Sequence, residues 1–95
     1  MNFVSANTTQ EQIQQYLGGF VQEEIPVTVI QGGWTMAHAL VFAGVFPSTS
    51  QARKNGFGGE IPLGYSELRI GKKHHFWFLN DLEAFELIDF SSGIN

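Results

Sequence analysis

Apolar residues recur at helical spacing in two parts of this chain and alternate in a third, with glycine, proline and short polar clusters between them. In the first part Ile13, Tyr16, Leu17, Phe20 and Val21 fall on one helical stripe. Thr8 precedes it, with Glu11 three residues on. In that S/T-x-x-E spacing each side chain satisfies the other residue's orphan backbone N–H, so a helix starting at Thr8 is expected. Gly18 and Gly19 shorten it and Pro26 closes the segment. The β-branched run "VTVI", Val27 to Ile30, lies between Pro26 and Gly32-Gly33 and suits a strand or an extended connector.

The second helix is expected from about Thr35 to Phe42, with Met36, Ala37, Leu40 and Val41 buried and Gly44 releasing the chain at its end. His38 falls near that stripe and reads as a satisfied core or boundary histidine without a catalytic role. Pro47 cannot continue a helix, and Ser48 with Gln51 repeats the capping spacing. A third, short helix therefore carries Ala52, Arg53 and Lys54 and is stopped by Asn55-Gly56. After the glycine-rich corner "NGFGGEIPLG", the segments "SELRI" and "KHHFWFL" flank Gly71-Lys72, a pair suited to a two-residue type II′ hairpin turn. On the second strand His74, Phe76 and Phe78 share one face and His75, Trp77 and Leu79 the other, so the strand has two largely apolar faces and is expected to be central. Asn80 or Asp81 can cap a C-terminal helix "LEAFELI" whose Leu82, Phe85 and Ile88 would cover the sheet, and "SSGIN" is expected to fray.

These elements predict an α+β fold: a single small domain over residues 1–95, with two to four short helices packed on a small antiparallel hairpin or sheet. Ninety-five residues bury only a little over ~60% of the surface an unfolded chain exposes. Thirteen aromatics in a chain that is 43% hydrophobic and 15% charged nevertheless exclude disorder for most of it. There is no cysteine, hence neither a disulfide framework nor a thiolate nucleophile, which fits a reducing compartment. The start "MNFVSANTTQ" lacks a basic n-region and an apolar core, and "MAHALVFAGVF" is well short of the ~20 residues that cross a bilayer, so a cytoplasmic protein without membrane partners is expected.

Charge changes this picture. Residues 53 to 75 hold all five Lys and Arg with two Glu, a net of +3, whereas the rest holds seven acids and no Lys or Arg, a net of -7. Two elements supply the cations, Arg53 and Lys54 on the third helix and Arg69, Lys72 and Lys73 on the hairpin, so folding could gather them into an anion-binding face. Other chemistry is weaker. His74 and His75 are adjacent in a strand and point to opposite faces, which opposes a shared metal ion. "GFGGE" lacks the Lys-Ser/Thr of a phosphate loop and reads as a structural corner. The acids form no paired arrangement that would serve acid–base chemistry, so neither an enzyme nor a cofactor is expected.

The order of these pieces, "MAHALVFAGVFPSTSQARKNG" followed by "IPLG" and "LRIGKKHHFWFL", resembles the alpha-L (S-four) RNA-binding domain over residues 35–79. That family occurs in a small-subunit ribosomal protein, in pseudouridine synthases and at the C-terminus of bacterial tyrosyl-tRNA synthetases, and "GKK" is similar to the synthetase version. Its pattern of a helix ending in a small-residue turn, a Ser-rich cap, a helix with Ala-Arg-Arg and a hairpin is matched by Leu40 to Gly44, Ser48 to Ser50, Ala52-Arg53-Lys54 and the strands around Gly71. The chain departs from it at Thr49, where the family usually has arginine, and at "FGGEIPLG", which replaces a Val-Asn-Gly segment. The resemblance implies structured RNA or a ribonucleoprotein as partner. Arg53 and Lys54 would line the RNA-facing helix, Ser50 would bind a phosphate, and Arg69, Lys72 and Lys73 would extend the contact, with His74 or His75 adding charge below neutral pH. The competing expectation, from the acidic balance and the solitary domain, is a small interaction protein of the kind viruses and mobile elements encode, which binds or inhibits a protein partner.

Overall fold

A computed structural model describes residues 1–18 and 24–84 of the chain. The fold is α+β, as the sequence predicts. Its centre is a strand that the sequence does not announce: Asn2–Val4 forms β1, which runs parallel to β2 (Thr28–Val29) on one side and to β4 (His74–Asn80) on the other. β3 (Gly64–Ile70) pairs antiparallel with β4, so the order is β2-β1-β4-β3 and the expected hairpin forms half of a mixed sheet. β4 is central, with a neighbour on each side.

Register sorts the side chains into two layers. Phe3 lies opposite Phe78, and together with Phe76 both face a core completed by Ala39, Leu40 and Ile61. Phe3 is its hub, stacked on Phe78 at 5.2 Å between ring centroids and edge-on to Trp34 at 6.4 Å. Burying phenylalanines such as Phe3 and Phe78 contributes roughly 2–3 kcal/mol each relative to exposure. On the opposite face Val4 and Leu79 pack with Ile13 and Leu82, and Tyr16, Leu17, Ile25 and Val27 close over them.

The helices begin and end as local chemistry demands. α1 (Gln10–Ile13) continues as a wider π-helical turn over Gln14–Gly18. Its capping box lies one residue beyond the expected one: Thr9 accepts from the Gln12 backbone N–H at 3.2 Å, while Thr9 N–H donates to the Gln12 side chain at 2.9 Å. Thr8 is diverted, because its N–H donates to the Ser5 carbonyl and its hydroxyl meets Ser5 Oγ at 3.0 Å. Gly18 is closely packed: a Cβ there would lie 3.3 Å from Ile25 Cδ1 and would displace the flexible end of the Gln14 side chain.

α2 (Met36–Phe42) is preceded by Thr35, whose N–H donates to His38 Nδ1 at 3.0 Å, so the histidine on this helix caps it. Both α2 and α3 (Thr49–Lys54) stop in the same way. Val45 N–H reaches back to the Leu40 carbonyl and Gly44 N–H to that of Val41, and Phe57 and Gly56 repeat the pattern on Ala52 and Arg53. These are Schellman motifs, and they put Gly44 (φ 81°) and Gly56 (φ 91°) in the left-handed region. Ser48 caps α3 by accepting from Gln51 N–H at 3.2 Å. The hairpin turn differs from expectation. Ile70 pairs with His74, so the loop is three residues, Gly71 to Lys73, and Lys73 belongs to the turn instead of the strand. The expected helix over "LEAFELI" begins as such, with Leu82 to Ala84 helical and Leu82 buried, whereas its remainder from residue 85 and the expected fraying of "SSGIN" lie outside the described residues, as do Phe20 and Val21 of the first stripe.

Candidate nucleic-acid interface

α3 is held by one small apolar residue and displays polar ones. Ala52 is fully buried, whereas Ser50, Arg53 and Lys54 are exposed. Positions three and four apart on a helix are neighbours, so these three share one outward face. The glycine corner supports it from behind. A Cβ on Gly58 would sit 3.1 Å from Arg53 Cγ, so the bare backbone there lets the chain run against the arginine stem. That corner is tied in turn to α2, because Met36 N–H donates to the Gly59 carbonyl at 3.0 Å, and Asn80 Nδ2 holds the Ile61 carbonyl at 2.9 Å.

The hairpin divides its cations. Lys72 and Lys73 lie exposed in the turn. Arg69 pairs with His75 and shares the sheet face of Tyr65 and Glu67, opposite the phenylalanine face on which α2 packs, and α3 packs in turn on α2. Ser50, Arg53 and Lys54 are therefore brought together, Lys72 and Lys73 stand at the hairpin tip, and Arg69 lies on the sheet face opposite α2, the helix that carries α3. Among the described residues the one contact between a basic side chain and a carboxylate joins His75 to Glu67, so none of the five Lys and Arg is neutralised by a described carboxylate.

The face around Arg69 holds a second group that the cation pattern alone does not reveal. His75 Nε2 donates to Glu67 Oε2 at 2.5 Å, and its ring stacks on Trp77 with centroids 3.9 Å apart. Tyr65 stacks on Tyr16 at 5.8 Å. Strand alternation in "HHFWFL" places His75 beside Trp77, but the diagonal reach to Glu67 follows only from the register of β3 on β4. His74 turns to the other face and stacks on Phe76, so the two histidines diverge. Among the described residues no trio of His, Asp or Glu is placed to hold a metal ion.

One further concavity lies at the carboxyl ends of β1, β2 and β4, an open cleft of about 600 Å³ lined by Ser5, Gln31, Trp34, Thr35, Glu60 and Asn80 among others. Glu60 is its one ionisable group among the described residues. No described helix is long and apolar enough to cross a membrane. No protein-family model, curated protein or solved structure matches this chain.

Proposed function

We propose that this chain is a non-catalytic binding module that docks on structured RNA, or on RNA held in a ribonucleoprotein, through α3 and the hairpin tip. One observation carries the reading: Ser50, Arg53 and Lys54 share an exposed helix face, and they and the turn lysines Lys72 and Lys73 have no described carboxylate against them. Exposed cations without intramolecular partners can release counterions from phosphates on binding. The resemblance of residues 35–79 to the alpha-L domain supports the same use of these elements, with Ser50 near a phosphate and Arg69 as an outlying contact.

Magnitude defines the target. Five phosphate contacts give a log–log salt slope of about 3.5 to 4.5 in magnitude, and the acidic remainder of the chain repels a polyanion at long range. Shape must then supply what charge does not, which favours the wide minor groove and splayed loops of folded RNA over free duplex. Ultraviolet crosslinking and recovery of RNA from cells tests this. Reversal of Arg53, Lys54, Lys72 and Lys73 to Glu is expected to abolish RNA recovery, and undiminished recovery overturns the reading. A protein partner is the second reading, favoured by Phe42, which is 57% exposed on α2 beside Trp34. Under it, Phe42→Ser removes a copurifying protein while RNA recovery stays at background.

A further inference from the structure

Among the described residues β3 is the long open edge of the sheet. It spans seven residues and pairs with β4 alone among the described strands, whereas the opposite edge, β2, is two residues long. The direction of its free backbone groups follows from its neighbour. His75 O accepts from the N-terminal ammonium, Trp77 N–H donates to Met1 O, and Leu79 O accepts from Ser5 N–H, so the odd residues of β4 face β1. The even ones must face β3, where their partners are Gly64, Ser66, Leu68 and Ile70. The N–H and C=O groups of Tyr65, Glu67 and Arg69 therefore point outward along the free edge.

We infer that this edge is a self-pairing surface, and that a second copy of the chain adds its own β3 antiparallel to the first, with the two-fold axis at Leu68. An isologous antiparallel pair must bring outward-facing residues opposite one another, which leaves few registers. Centring on Glu67 sets two like carboxylates directly opposite, which is destabilising. With the centre at Leu68, Glu67 of each copy faces Arg69 of the other, and each of the two pairs exchanges both backbone hydrogen bonds. Leu68 then meets its own counterpart on the phenylalanine face, where it already packs against the core. Centring on Ser66 offers only a hydroxyl pair whose oxygen is buried inside its own protomer.

Charges on an edge strand ordinarily oppose pairing. Here their alternation in sign makes the opposition register-dependent, since Glu67 keeps a second carboxylate oxygen free beyond its bond to His75 and Arg69 has no described acidic partner. Pairing ends where Gly71 turns out of the strand at φ 62°, and β2 is too short to propagate a sheet, so the assembly closes as a dimer. This inference does not depend on RNA binding. If both hold, Arg69 is occupied at the dimer seam and the RNA face consists of α3 and the turn lysines.

Sedimentation velocity of the full chain over a range of concentrations tests it. The wild type is expected to shift with concentration from the 10.6 kDa of one chain towards twice that mass. Glu67→Arg and Arg69→Glu alone each set like charges across the seam and are expected to weaken association at least about tenfold, and the double exchange Glu67→Arg/Arg69→Glu is expected to restore it. Because the chain has no cysteine, Leu68→Cys provides a second measurement, since the two thiols would form an interchain disulfide under oxidation. A wild type that stays monomeric at its solubility limit overturns the proposal. So does a dimer that both single reversals leave intact, or a Leu68→Cys dimer that oxidation does not crosslink.

Discussion

Trp77 and Phe78 are adjacent on β4, and the sheet gives them opposite fates. Phe78 is fully buried on a face where α2, Phe57 and Ile61 pack against it and its neighbours. Trp77 is half-buried, stacked on His75, on a face that α1 and its π-helical turn cover beside Val4 and Leu79. One strand thus builds the main core on one side and a mixed aromatic and charged surface on the other. Burial is what a strand's neighbours provide, and hydrophobicity alone does not secure it.

Four measurements would break or sharpen that contrast. Phe78→Ala should cost about 3–5 kcal/mol in urea unfolding, because it removes a closely packed ring and leaves a cavity, while Trp77→Ala should cost less than half as much. Equal costs would mean that the two faces are not distinct. Leu79→Ala, on the second face but fully buried, should fall between them at about 2–3 kcal/mol. Gly56→Ala acts on the end of α3 through the backbone alone. Nothing lies within 4 Å of the added Cβ, so its cost of about 1–2 kcal/mol would come entirely from the left-handed φ of 91°. A thermal melt that does not move would show that α3 is ended by something other than its Schellman motif. Glu67→Gln should have the smallest effect, up to about 1 kcal/mol, since the Glu67 side chain is 51% exposed where it meets His75. A larger loss would make the His75–Glu67–Trp77 group part of the core.

The candidate interface contrasts in the same way. Ser50, Arg53 and Lys54 share a face because they lie on one helix, and that much could be read from their spacing. Arg69 belongs to the same cationic stretch of sequence, yet it projects from the side of the sheet opposite the face that α2 covers, and α3 packs on α2. Residues on separate elements have no common face until the sheet's register is known. Thr8 shows the effect on a shorter scale: its spacing to Glu11 fits a capping box, but Ser5 competes for it and Thr9 takes the position.

What the amino-acid order determines by itself is local. The ends of α2 and α3 are written in Gly44 and Gly56, the start of α3 in Ser48, and the two-faced character of β4 in its alternation, because each depends on bonds between residues a few positions apart. The centre of the sheet is a different matter. Asn2–Val4 is too short to signal a strand, and becomes one only when Trp77 to Leu79 and Thr28-Val29 arrive on its two sides. Which face each residue occupies, which edge stays open and where Arg69 points all follow from that pairing. The tertiary structure alone decides them, because parallel contacts between residues over seventy positions apart leave no periodic trace in either segment.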